Sequence, residues 1–80
     1  MDNAQDIPSY IYFGNRVKIT WDANIPNVNC LAIITKINNN GPFLYSGAQV
    51  ECLITVRYLS PLTDITSAVP IECIEQIVTN

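Results

Sequence analysis

Arg16-Val17-Lys18-Ile19-Thr20-Trp21 alternates without a break: Val17, Ile19 and Trp21 fall on one side, Arg16, Lys18 and Thr20 on the other. Side chains of an extended chain point alternately to opposite faces, so this pattern, built on β-branched residues, specifies a half-buried strand. On its N-terminal side Gly14-Asn15 is a turn signal, and before it Ser9-Tyr10-Ile11-Tyr12-Phe13 forms an aromatic cluster, a short strand or a cap on one end of the fold. Residues 1–8 are polar without a period and read as a loose arm; residues 9–80 read as one domain.

C-terminal to the strand, residues 22–29 hold Pro26 and three asparagines, a loop. Cys30-Leu31-Ala32-Ile33-Ile34-Thr35-Lys36-Ile37 is a second strand, with Leu31, Ile33, Thr35 and Ile37 expected on one face and Ala32, Ile34 and Lys36 on the other. Asn38-Asn39-Asn40-Gly41-Pro42 is the strongest turn in the chain, and residues 43–47 fit no single element. The longest alternating run is residues 48–59: Val50, Cys52, Ile54, Val56 and Tyr58 against Glu51, Leu53, Thr55, Arg57 and Leu59. Its second face is half apolar, which makes this stretch the expected edge for a second copy. Residues 65–69 form a short strand, Pro70 opens a single helical turn through Ile74, and residues 74–78 close the chain with a last strand. The expected fold is all-β: a small barrel of about five short antiparallel strands, with one 3-10 turn before the last.

Composition removes whole classes of function. The chain has 80 residues, 49% hydrophobic and 14% charged, enough for one ordered domain and too apolar for disorder. No apolar run approaches the roughly 18 residues of a membrane span, and the start, Met1-Asp2-Asn3-Ala4-Gln5-Asp6, is unlike a secretory signal. Four basic residues, Arg16, Lys18, Lys36 and Arg57, are spread along a chain of net charge −3, an argument against nucleic acid and anionic membrane as partners. Histidine is absent, which removes Ser-His-Asp and Cys-His catalysis and the commonest zinc ligand. Cys30, Cys52 and Cys73 are odd in number, far apart and set among apolar residues. They read as buried hydrophobes in a reducing, cytoplasmic setting, with no metal site and no cofactor expected.

The run Gly14-Asn15-Arg16-Val17-Lys18-Ile19 resembles the opening G-x-x-V-x-V strand of SH3-like barrels, and residues 69–77, VPIECIEQI, resemble their closing 3-10 turn and final strand. Leu53-Ile54-Thr55-Val56-Arg57-Tyr58 is similar to a middle strand of that fold, so the likeness extends over residues 13–78. Two groups of this size carry it further. Thr55-Val56-Arg57-Tyr58 and the acidic residues 72–77 are similar to photosystem I subunit IV and the variable chain of ferredoxin–thioredoxin reductase, a resemblance that implies docking to a redox complex. The length, the arm and the ending also resemble the type II dihydrofolate reductases, which implies an oligomer with a site on its symmetry axis. Where those enzymes carry Val-Gln-Ile-Tyr before the proline, this chain has Thr66-Ser67-Ala68-Val69.

Candidate site residues follow from apolar surplus. A domain this small buries little over 60% of its unfolded surface, and exposed apolar groups mark interfaces. Tyr10, Tyr12, Phe13, Tyr45, Leu53 and Leu59 are therefore the expected partner-binding residues. Trp21, Asp22 and Tyr58 are the alternative, a concave ligand site, although a Trp ending a strand more often packs in the core and an Asp after it more often makes a turn. Glu72 and Glu75, three apart on a helical turn, fit a solvated face better than an acid–base pair. The expected function is a non-catalytic protein-interaction module, self-associating or part of a larger assembly, with no catalytic residues. The alternative is an oligomeric small-molecule-binding protein or enzyme.

Overall fold

The computed structural model describes residues 6–78, so most of the arm expected over residues 1–8 lies outside the described residues. The opening strand is β1 (Arg16–Ile19), with Val17 and Ile19 fully buried. It ends two residues earlier than its alternation suggests. Thr20 already donates its N–H to the Cys73 carbonyl (3.0 Å), and the chain then turns at Asp22, leaving Trp21 49% exposed instead of in the core.

β2 (Cys30–Asn38) runs antiparallel to β1 on one side and to β5 (Leu53–Tyr58) on the other. Its register shifts between Ile34 and Lys36, a β-bulge centred on Thr35. One extra residue reverses the alternation, so Cys30, Ala32 and Ile34 face the core before the bulge and Ile37, opposite Ile54, packs against it afterwards. The expected face of Leu31, Ile33, Thr35 and Ile37 is therefore corrected: Ile37 belongs to the other one.

Residues 48–59 divide into β4 (Ala48–Val50) and β5. Gly41 donates to the Glu51 carbonyl at 2.9 Å, and a Cβ on Gly41 would lie 2.7–2.8 Å from backbone atoms of Val50 and Glu51. Only glycine permits this crossing. β3 (Phe43–Tyr45) pairs with β4 through a two-residue turn in which Ser46 (φ 50°) and Gly47 (φ 82°) are both left-handed. Positive φ at both central residues is the hairpin geometry that matches strand twist, and Ser in place of the usual Asn hid it in the sequence.

β6 (Thr66–Val69) pairs with β5, and a 3-10 turn (Ile71–Cys73) leads into β7 (Ile74–Glu75), shorter than the expected 74–78 and paired with β1. Pro70 precedes this turn in an extended conformation instead of occupying its first position. The main sheet has the order β6-β5-β2-β1-β7, with β3-β4 as a separate pair. The fold is all-β as expected: among the described residues five antiparallel strands form the main sheet, with the 3-10 turn before the last of them and the β3–β4 hairpin added to it, and the outer strands β6 and β7 do not pair with each other. Because β5 is flanked on both sides by strands, it provides no free edge for a second copy. The core is the inner face of this sheet: Val17, Ile19, Ala32, Ile34, Ile54, Val56, Val69 and Ile74, with Ile11 inserted from the N-terminal segment and Ile71 from the closing turn.

Candidate functional site

Asp22 organises the first candidate site from below. It is 2% exposed, and both of its carboxyl oxygens accept hydrogen bonds. Oδ1 takes the Asn24 N–H at 2.9 Å, an Asx turn, and Oδ2 takes the hydroxyl of Tyr58 at 2.7 Å. The Ile25 N–H donates to the Asp22 carbonyl at 3.0 Å, completing a tight loop pinned to β5. Tyr58 is 1% exposed; burial first, then its bond to Asp22, pushes its phenol well above the ordinary range. Asp22 and Tyr58 are thus committed to each other, and of the three expected ligand residues only Trp21 presents itself to solvent.

Trp21 leads into that pinned loop, and Tyr45 arrives from the hairpin. The Tyr45 hydroxyl accepts the Ala23 N–H at 2.8 Å, and its ring meets the Trp21 ring edge-on, centroids 5.8 Å apart at 78°. The geometry is the favourable one for two quadrupoles. Burial raises the Tyr45 phenol above its usual value, a shift opposed by the Ala23 N–H. Together with Val50, Pro70, Glu72 and Cys73 the two rings line an open cleft of about 310 Å³. Burial, with the negative charges of Glu72 and Asp22 behind it, raises the Cys73 thiol, and burial alone raises Cys52, which disfavours the nucleophilic thiolate at both.

A second groove, of about 580 Å³, lies between the N-terminal segment and the end of the chain, lined by Tyr10, Tyr12, Arg16, Leu31, Gln76 and Ile77. Asn15 holds this segment by donating its side-chain amide to the Tyr10 carbonyl at 2.6 Å. Tyr12 and Phe13 are 55% and 75% exposed, while Tyr10 is half-buried against the core.

The expected partner-binding residues therefore separate into three places. Tyr10 and Tyr12 line the second groove, with Phe13 exposed beside them but outside its lining; Tyr45 joins Trp21 in the first; Leu53, which opens β5, and Leu59, just after it, are half-buried and line neither. Pro70 and Glu72 entered the cleft unforeseen, because their approach to Trp21 depends on the pairing of β7 with β1. Among the described residues there is no group of three or more His, Cys, Asp or Glu side chains able to hold a metal ion, and no helix long and apolar enough to cross a membrane. No protein-family profile matches the chain, and neither curated proteins nor solved structures give a match.

Proposed function

We propose that the chain is a non-catalytic protein-interaction module, built on a small SH3-like fold, that recognises its partner at the Trp21–Tyr45 cleft. One observation carries this reading: two aromatic rings held edge-on, one anchored through its hydroxyl, present apolar surface over an open cleft of about 310 Å³. Rigid aromatics lose little conformational entropy on binding and supply large contact area. An open cleft suits a polypeptide segment better than an enclosed small molecule, and Tyr58, needed by the small-molecule alternative, is withdrawn into the core. The partner is a second copy of the chain or a subunit of a larger assembly, in a reducing compartment such as the cytoplasm, where the three unpaired, buried cysteines stay as they are. Supporting the SH3-like reading is the run of three antiparallel strands in the sheet centre, with a 3-10 turn just before the final strand.

Light scattering on a concentration series, with reductant, tests it alongside the emission of Trp21, the only tryptophan. The expected result is an oligomer that Trp21→Ala reduces to a monomer, with a blue shift of the Trp21 emission as association proceeds. If the wild type is monomeric, panning a displayed random-peptide library decides. Enriched peptides whose binding depends on Trp21 support a different protein as partner; the absence of both association and a Trp21-dependent peptide overturns the reading.

A further inference from the structure

Arg16, Lys18, Lys36 and Arg57 are spread over 42 positions of sequence, yet the strand registers gather them on one surface. On β1, Val17 and Ile19 face the core, so Arg16 and Lys18 face outward. On β5, Ile54, Val56 and Tyr58 face inward and Arg57 outward. The Thr35 bulge decides the fourth: by returning Ile37 to the core side it turns Lys36, opposite Thr55, to the outer side. All four basic groups of a chain with net charge −3 thus lie on the outer face of three adjacent strands. None of them is in an ion pair among the described residues.

The register also defines what lies between them. Arg16, Ile33 and Arg57 form one transverse row, and Glu75, Lys18 and Leu31 the next, so the exposed carboxylate of Glu75 borders the face at its β7 edge. Leu31 is 43% exposed and Ile33 half-buried. With neighbouring strands roughly 5 Å apart, the row places Arg16 and Arg57 about 10 Å from each other with Ile33 between. Arg16 and Leu31 also line the groove of Tyr10 and Tyr12, so the basic face runs into an aromatic-walled channel.

We propose that this outer face, Arg16, Lys18, Lys36 and Arg57 around Leu31 and Ile33, is a docking site for an acidic protein segment with interspersed apolar side chains. Charge complementarity selects the occupant: the cations outnumber Glu75 on this face four to one, so an anionic chain is attracted to it, and its apolar residues cover Leu31 and Ile33. An apolar centre within a charged rim is the usual anatomy of a protein interface. A nucleic acid fits less well. Four cations allow little counterion release, and a phosphodiester backbone brings no apolar side chains to cover Leu31 and Ile33. The inference rests on the interaction-module reading but uses a surface other than the Trp21 cleft.

Fluorescence anisotropy tests it, with three labelled probes of equal length: a peptide alternating Glu and Leu, one alternating Lys and Leu, and an oligothymidylate. The Glu–Leu peptide is expected to bind the wild type and to weaken as salt is added, while the Lys–Leu peptide does not bind. The double variant Arg16→Glu/Arg57→Glu, and independently Lys36→Glu, should lower Glu–Leu affinity, the double variant at least about tenfold, with the circular dichroism melt retained. Trp21→Ala should leave this binding unchanged. Equal binding of both peptides, no Glu–Leu binding, or no loss in the charge-reversed variants overturns the proposal, and preferential binding of the oligothymidylate replaces the occupant with single-stranded nucleic acid. Loss in Trp21→Ala but not in the charge variants sinks this inference while sparing the cleft reading; the opposite pattern spares this one.

Discussion

The two faces of β1, β2 and β5 are made by the same strands and obey different rules. Inward, Val17, Ile19, Ala32, Ile34, Ile54 and Val56 are fully buried, and every one is aliphatic. Outward, the same strands carry the chain's four cations, with Leu31 and Ile33 among them. Packing dictates the inner face, since voids and extra methylenes both cost stability in a close-packed interior. Nothing in packing dictates the outer one. There four cations, with Glu75 of β7 opposite Lys18, surround apolar groups.

Neighbouring residues on β2 give the largest test of that contrast. Ile34 is fully buried and Ile33 only partly. Ile34→Ala should cost about 3 kcal/mol, the transfer of the lost methyl groups plus the cavity left behind. Ile33→Ala should cost under about 1 kcal/mol. Urea unfolding of the two variants measures both; equal losses would mean that the outer face is packed as the inner one is, and would end the distinction.

The polar exception in the interior sharpens the comparison next. Tyr58 lies on the inner face and satisfies Asp22 at 2.7 Å. Tyr58→Phe keeps the ring and strips a buried carboxyl oxygen of its donor, for an expected loss of about 2 kcal/mol. The same variant changes the pH response. The phenols of Tyr58 and Tyr45 and the thiols of Cys52 and Cys73 all titrate higher folded than free, chiefly through burial. The unfolded chain therefore gives up protons first, its thiols near 9.0 and its phenols near 10.0. Stability from these groups is complete below those values and drains away as pH rises through them toward the folded ones. The melting temperature should accordingly fall in alkali, and less steeply in Tyr58→Phe. Parallel curves for the two proteins would show that the buried phenol stays protonated at no cost to the fold.

What the sequence made legible divides along the same line. The closing turn and the inner faces of β1 and β5 could be read directly, because each depends on neighbours within a few residues: Pro70 before Ile71–Cys73, and the alternation of Ile54, Val56 and Tyr58. The rest depends on pairing. Thr35 is an extra residue only with respect to β5, so no local pattern announces the bulge, and without it Lys36 and Ile37 fall on the wrong faces. Trp21 fits the alternation of β1 but leaves the sheet because the chain turns at Asp22, whose carboxylate is held by Tyr58, 36 residues on. The Trp21–Tyr45 contact depends on a Ser-Gly turn of unusual composition. The four cations look scattered in one dimension and gather only when three strands are laid side by side.

The smallest expected effect probes that gathering. Two unit charges about 10 Å apart in water repel by about 0.4 kcal/mol, less when salt screens them. Arg57, exposed and without an ion-pair partner among the described residues, should thus be replaceable by Gln within about 0.5 kcal/mol. The sign carries the information. If the cations repel one another, added salt should stabilise the wild type slightly more than Arg57→Gln, and the urea midpoints of the two should converge from low salt to high. A loss of 2 kcal/mol or more would instead make Arg57 a structural residue whose long stem covers the sheet. The outer face would then answer to folding after all, and its charge would no longer be free to speak for a partner.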